Sequence, residues 1–209
     1  MDISPASLWV LSNLVLNFDP EGTYTYRINT GMPDKVTSDE EAFARIFYNV
    51  ERLGVPIYHD MVLAMIIFSR GDKFACLRYI SSITAQLRLA LGAYFTNLHG
   101  QTIAHSVWLS HVQGFYAWGV PLFQALDGFL GMEQYLSPRD QERNIPARQR
   151  SFCKALAEHS FRRMLSEKPK DETDVRIGAE LNEIAKRLRM FRQVHRTTAK
   201  TYLSRPISL

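Results

Sequence analysis

The chain has 209 residues, enough for one full hydrophobic core and too few to require two, so a single domain spanning 1–209 is expected. Hydrophobic residues make up 46% and charged residues 22%, a balance that excludes a disordered chain. The net charge of +4 is weakly basic, acids from Glu167 to Glu183 dilute the basic residues after Pro138, and no recognised reader motif occurs, so nucleic acid is not an expected partner. The only cysteines, Cys76 and Cys153, lie far apart and outside any zinc spacing, which fits a reducing cytosol. Met1 to Asn17 lacks a basic n-region and a small-residue cleavage site, and the longest dense apolar run, Met61 to Phe68, falls far short of the ~20 residues that cross a bilayer. A soluble, cytoplasmic protein with no membrane partner is the expectation.

In chain order, residues 5–17 read as a short helix, and Phe18-Asp19-Pro20-Glu21-Gly22 as a turn. Thr23 to Arg27 alternates like a strand, but one short strand cannot make a sheet, so it reads as an extended loop. Ser38 with Glu41 matches a capping box, and Phe43, Ile46, Phe47 and Val50 carry helical spacing to Gly54. Pro56 opens the next helix, which ends near Gly71-Asp72. A long helix from Phe74 to His99 places Leu77, Ile80, Thr84, Leu87, Leu91 and Tyr94 on one face, and Gly100 stops it. Helices follow at 102–112, 122–135 and 147–165, with 137–146 as the main internal loop, and Thr173-Asp174 opens the last helix. The expected fold is therefore all-α, a single helical bundle of about seven helices without internal repeats.

The last helix carries the most informative pattern. Ile177, Leu181, Ile184, Leu188, Phe191, His195, Thr198 and Tyr202 recur at steps of four and three, which defines one buried face of a helix about 30 residues long. His195 thus projects inward with Arg189, Arg192, Arg196 and Lys200 alongside. A neutral imidazole in a helical core is a good metal ligand, and a guanidinium beside it suits an anion such as a propionate. A lone histidine on an apolar face also serves as a hydrogen-bonded core residue, so this helix alone leaves both roles open.

Other metal chemistries find no support. None of the six histidines has Glu or Asp three residues before it, so the Glu-x-x-His signature of a di-iron bundle is missing. His105 and His111 are six apart, on different helix faces rather than at zinc-binding spacing. No nucleophile elbow, P-loop or dinucleotide fingerprint is present. One axial ligand in an aromatic interior points towards haem, in which the porphyrin supplies four ligands and the protein need supply one.

Several segments extend this. Leu188-Arg189-Met190-Phe191-Arg192-Gln193-Val194-His195, with Tyr202 and Pro206 following, resembles the proximal-histidine helix of indoleamine 2,3-dioxygenase. Leu122 to Met132 resembles that family's Phe-Gln-x-x-Asp-x-x-Leu-Gly helix, and Ile145 to Cys153 its Met-Pro-Pro-x-His-Arg-x-Phe segment. Phe43 to Glu51 resembles the distal helix, with Phe43 at the distal-pocket phenylalanine and Glu51 at a shared acid. Val10 to Asn13, Asp19-Pro20 and Thr23-Tyr24 echo the start of the large domain. The likeness covers nearly the whole chain at low identity, and the shared order of its motifs is its strength.

The resemblance, which extends to the tryptophan 2,3-dioxygenase and pyrrolnitrin-pathway branches of that superfamily, implies the fold of the large domain. It also implies haem b with His195 as the iron ligand, Arg192 on a propionate, Phe43 over the distal face, and oxygenation of an indole-like or related aromatic substrate with dioxygen. The chain departs from the family on the distal side. The arginine that pairs with the substrate carboxylate aligns near Leu109, where there is none, Phe47 stands at a distal serine, and the small N-terminal domain has no counterpart. His105, His111, Trp108 and Tyr116 are the candidates for a different distal wall. A haem-binding sensor or carrier without turnover, or a helical interaction protein without cofactor, are the alternatives. Apolar surface left on the distal side would be covered by a homo-oligomer.

Overall fold

A computed structural model describes residues 17–98, 103–112, 120–134 and 136–203. The architecture is all-α, with helices α1 (Asp34–Ser69), α2 (Lys73–Leu98), α3 (His105–Val107, continued by a π-helical turn Trp108–Val112), α4 (Pro121–Phe129), α5 (Pro138–Asn144), α6 (Ala147–Glu158), α7 (Arg162–Glu167) and α8 (Glu172–Leu203). Among the described residues the only β pairing is one isolated bridge between Phe18 and Tyr24, as the extended-loop reading of 23–27 expects. The expected helix at 5–17 lies outside the described residues apart from Asn17.

Helices α1 and α2 form a long antiparallel hairpin and α8 packs along α2. The hairpin turns at Arg70-Gly71-Asp72, where Gly71 adopts a φ of 84°, and the Asp72 carboxylate then accepts the Ala75 N–H at 2.9 Å to start α2. Helix α4 packs against α1 on one side and α6 on the other. Ile46, Ile57, Met61, Ile80, Ile83, Leu87, Leu122, Leu126 and Ile177 are fully buried where these helices meet.

Several boundaries differ from the sequence expectation, among them the end of α4 at Phe129 instead of 135. The two helices expected around Gly54-Val55-Pro56 are one continuous helix, with Pro56 in its interior. Proline removes one backbone bond there, but Gly54 is a packing residue, not a stop: a Cβ at Gly54 would press on Leu122 of α4 at 3.1 Å. The capping box is also absent. Helix α1 begins four residues earlier, Ser38 Oγ bonds the Lys35 carbonyl, and Glu41 pairs with Arg45 at 2.6 Å. The loop at 137–146 contains α5, whose Ser137 hydroxyl accepts the Asp140 N–H. Finally, the helix expected over 147–165 divides into α6 and α7 at His159-Ser160-Phe161, where Ser160 donates to the Phe129 carbonyl at 2.8 Å and docks the break onto α4.

Buried carboxylates on α1 fasten the segments that surround it. Glu40, with no exposure, accepts hydrogen bonds from the Tyr24 hydroxyl, the Ile28 and Asn29 backbone N–H groups and the Asn29 side chain at 2.6–2.9 Å. Asp39 pairs with Lys35 and accepts the Ala104 N–H at 2.9 Å, which ties the start of α3 to α1. Each bond satisfies a polar group that burial would otherwise leave costly. One 18-residue window of α1 reaches a mean hydropathy of 1.3 and has the length and composition of a membrane span. In this fold 22% of that window is buried, and Asp60 is among the buried residues of the helix.

Candidate functional site

The seam of α8 is buried as its periodicity predicts: Ile177, Leu181, Ile184, Leu188 and Phe191 lie in the core, while His195 and Thr198 are half-buried where the seam opens. Four aromatic rings meet there. Phe191 lies one turn below His195 with its ring parallel to the imidazole, centroids 6.1 Å apart, and Tyr94 of α2 stands edge-on to both, at 5.1 Å from Phe191 and 5.3 Å from His195. Phe95 and Phe123 close the other sides of Phe191 at 5.2 and 4.5 Å.

The Tyr94 hydroxyl lies 3.0 Å from His195 Nδ1. A hydroxyl can donate or accept, so this contact serves either imidazole tautomer. When Nδ1–H donates to Tyr94, Nε2 presents its lone pair, which is the arrangement of a metal-ligating histidine oriented by a second residue. Burial pushes the His195 pKa below its ordinary value and holds the ring neutral. Burial also raises the Tyr94 hydroxyl, keeping it protonated.

Arg192, three residues before His195, turns to α4. Its Nη2 pairs with Asp127 Oδ2 at 2.6 Å, and the Asp127 side chain is fully buried while that of Arg192 is 22% exposed. The charge of Arg192 is therefore neutralised within the protein. Asp127 stands in the Phe123 to Asp127 segment, so this ion pair joins the two stretches that sequence reading treats separately. Asp127 also acts on α6, where burial first and its negative charge second push the Cys153 thiol up to about 11.

Phe43, expected over the distal face, is buried in the core. It meets Phe47 and Trp108 edge-on at 5.0 Å each, and Phe47 meets Tyr94 at 6.5 Å. The rings of Phe47 and Tyr94 thus occupy the path from Phe43 to His195. His105 begins α3 and His111 lies in the π-helical turn, its Nδ1 at 2.6 Å from Ser110 Oγ. Among the described residues no three His, Cys, Asp or Glu side chains gather where they could hold a metal ion. Tyr116 and Pro206, and the side chain of Tyr202, lie outside the described residues.

At the other end of α4, Glu51 of α1 accepts the Leu122 N–H at 3.0 Å and the Tyr58 hydroxyl at 2.8 Å. It satisfies one of the orphan N–H groups of the helix start. Burial raises its pKa to about 7 against the lowering effect of these two bonds. Sequence reading missed Tyr94 and Asp127 as site residues. The signal for Tyr94 was its place at the end of the α2 seam, where a polar-tipped aromatic faces the end of another seam. Asp127 gave a weaker one, an acid among Leu126, Gly128 and Phe129. Comparison with known proteins finds no matching family model, no similar curated protein and no similar solved structure.

Proposed function

We propose that this chain is a haem-binding helical protein in which His195 is the axial ligand, and that it acts with dioxygen on an indole-like or related aromatic compound. The observation that carries this reading is the Tyr94–His195 pair: a desolvated, neutral imidazole whose Nδ1 is already held. When bound, haem would supply the redox chemistry, and the protein's share is binding, orientation and exclusion of water. His195 would hold the iron, Tyr94 would fix the imidazole, and the wall of Phe191, Phe95 and Phe123 would keep water from that side. The resemblance suggests Arg192 for a propionate, but its ion pair with Asp127 makes it a weak anion partner in this state. Arg192 acts here as the tie between α8 and α4, and a propionate would have to share its donors.

Reconstitution with haem tests the reading. The expected result is a Soret band from stoichiometric haem that is lost in His195→Ala and shifted in Tyr94→Phe. Equal binding by His195→Ala, or no Soret band at all, sinks it and leaves the cofactor-free helical interaction protein. A second reading, haem binding without turnover, is favoured by the lack of an arginine near Leu109, where the resemblance places the partner of the substrate carboxylate. Oxygen uptake by the ferrous protein, with and without a panel of indoles, separates the two. Substrate-dependent uptake marks the oxygenase. The homo-oligomer expected from uncovered apolar surface is checked in the same preparation by light scattering.

A further inference from the structure

A cavity of about 300 Å³ opens on the α1–α2 hairpin, lined by Asp60 of α1 and Ala75, Arg78, Tyr79 and Ser82 of α2. This is the lower end of the size range of small-molecule sites. Asp60 is held in place: Gln86 Nε2 donates to its Oδ2 at 2.7 Å and to Ser82 Oγ at 2.7 Å, and His59 Nδ1 lies 3.4 Å from its Oδ1. Gln86 and His59 do not exhaust this carboxylate, which has about four acceptor positions. On the α2 wall Arg78 is exposed, and it makes no ion pair or hydrogen bond among the described residues. The Tyr79 hydroxyl likewise has no hydrogen bond there. Ala75 and Ser82 are small, which is what leaves the space open.

We propose that this cavity binds a small zwitterion of amino-acid type, its ammonium on Asp60 and its carboxylate on Arg78. The charge pattern selects that class. A free metal cation would have one protein carboxylate and a guanidinium facing it, and a simple anion would meet the Asp60 charge. A molecule with both charges at short separation satisfies both walls, and the Tyr79 hydroxyl adds a donor for the carboxylate. The site shares no residue with the His195 seam, so its fate is independent of the haem reading.

Calorimetric titration of the full chain with L-alanine, L-phenylalanine and L-lysine tests this, with 2-phenylethylamine and N-acetyl-L-phenylalanine as controls that each lack one charge. At least one free amino acid should bind with a Kd below about 1 mM, and the matching controls should bind about tenfold or more weakly. Arg78→Ala should weaken binding about tenfold while leaving the melting temperature unchanged, because Arg78 holds no partner. Ala75→Leu, which fills the cavity, should abolish binding in a protein whose circular dichroism matches the parent. No heat from any amino acid, controls that bind as tightly, or binding indifferent to both substitutions would each overturn the assignment.

Discussion

Helix α4 is held at its two ends by carboxylates, one fully buried and one half-buried, that solve the same problem differently. Asp127, near its C-terminus, is matched by the guanidinium of Arg192 from α8. Glu51, at its N-terminus, faces only neutral donors among the described residues, the Leu122 N–H and the Tyr58 hydroxyl. A buried charge met by an opposite charge stays ionised, whereas one met by dipoles alone pays desolvation and takes up a proton more readily. The consequence is a helix whose N-terminal tie titrates near neutrality. Since α4 carries Phe123 against Phe191, both ties bear on the wall beside His195.

The sharpest way to break the comparison is to remove the cation. Arg192→Met leaves the Asp127 carboxylate buried without its guanidinium and should cost about 3 kcal/mol of stability in urea denaturation. Adding Asp127→Leu should restore most of that loss, because removing both partners is far cheaper than removing one. If the single substitution costs less than about 1 kcal/mol, the ion pair does not hold α4 to α8.

Next in size is the contact that sets the height of α4 over α6. A Cβ at Gly128 would stand 2.6 Å from the Cys153 carbonyl oxygen and 3.3 Å from the Leu156 Cβ. Backbone cannot yield as a flexible side chain would, so Gly128→Ala should cost about 1–3 kcal/mol despite alanine's better helix propensity. A thermal melt unchanged by this substitution would mean that the two helices slide apart freely.

Glu51 gives the pH-dependent half of the comparison. Its folded pKa of about 7 lies above the ordinary 4.5, so between these values the folded chain holds a proton that the unfolded chain has released. Stability is therefore greatest below pH 4.5 as far as this group is concerned, and falls as pH rises towards 7. The loss should amount to about 1–3 kcal/mol. Glu51→Gln keeps an acceptor for Leu122 and for Tyr58 and should flatten this part of the profile. A parent protein whose stability between pH 5 and 7.5 matches that of Glu51→Gln would contradict the assignment.

What the sequence made legible divides along the same physical line. The seam of α8 was readable because burial on one helix face imposes a period, and Ile177 to Phe191 lie in the core as that period requires. The break expected at Gly54-Val55-Pro56 was misread because local breaker chemistry could not reveal that Gly54 admits Leu122 from a helix almost seventy residues away. Helix α5 was hidden by its polarity, since it buries little and only its start, Ser137 with Pro138 and Asp140, carried a cue. The periodicity places Phe43 and His195 on inward faces and Arg192 beside the seam, yet their partners Phe47, Tyr94 and Asp127 depend on how α1, α2 and α4 converge. Pairing across helices leaves no periodic trace in one sequence.

The smallest expected effect concerns the hydroxyl that decides between a core histidine and a ligand. Tyr94→Phe keeps every ring contact around Phe191 and removes only the hydrogen bond to Nδ1, so it should cost about 0.5–1.5 kcal/mol. The stability contributed by neutral His195 runs opposite to that of Glu51. Its folded pKa lies below 6.5, so the contribution is present above the unfolded pKa and is lost as pH falls through the folded value. A nuclear magnetic resonance titration of the imidazole should show that depressed value directly. If His195 is only packing, Tyr94→Phe changes stability and nothing else. If His195 is an axial ligand, the same substitution frees the imidazole to rotate, and haem retention falls more than stability does, because ligand orientation is what the hydroxyl supplies.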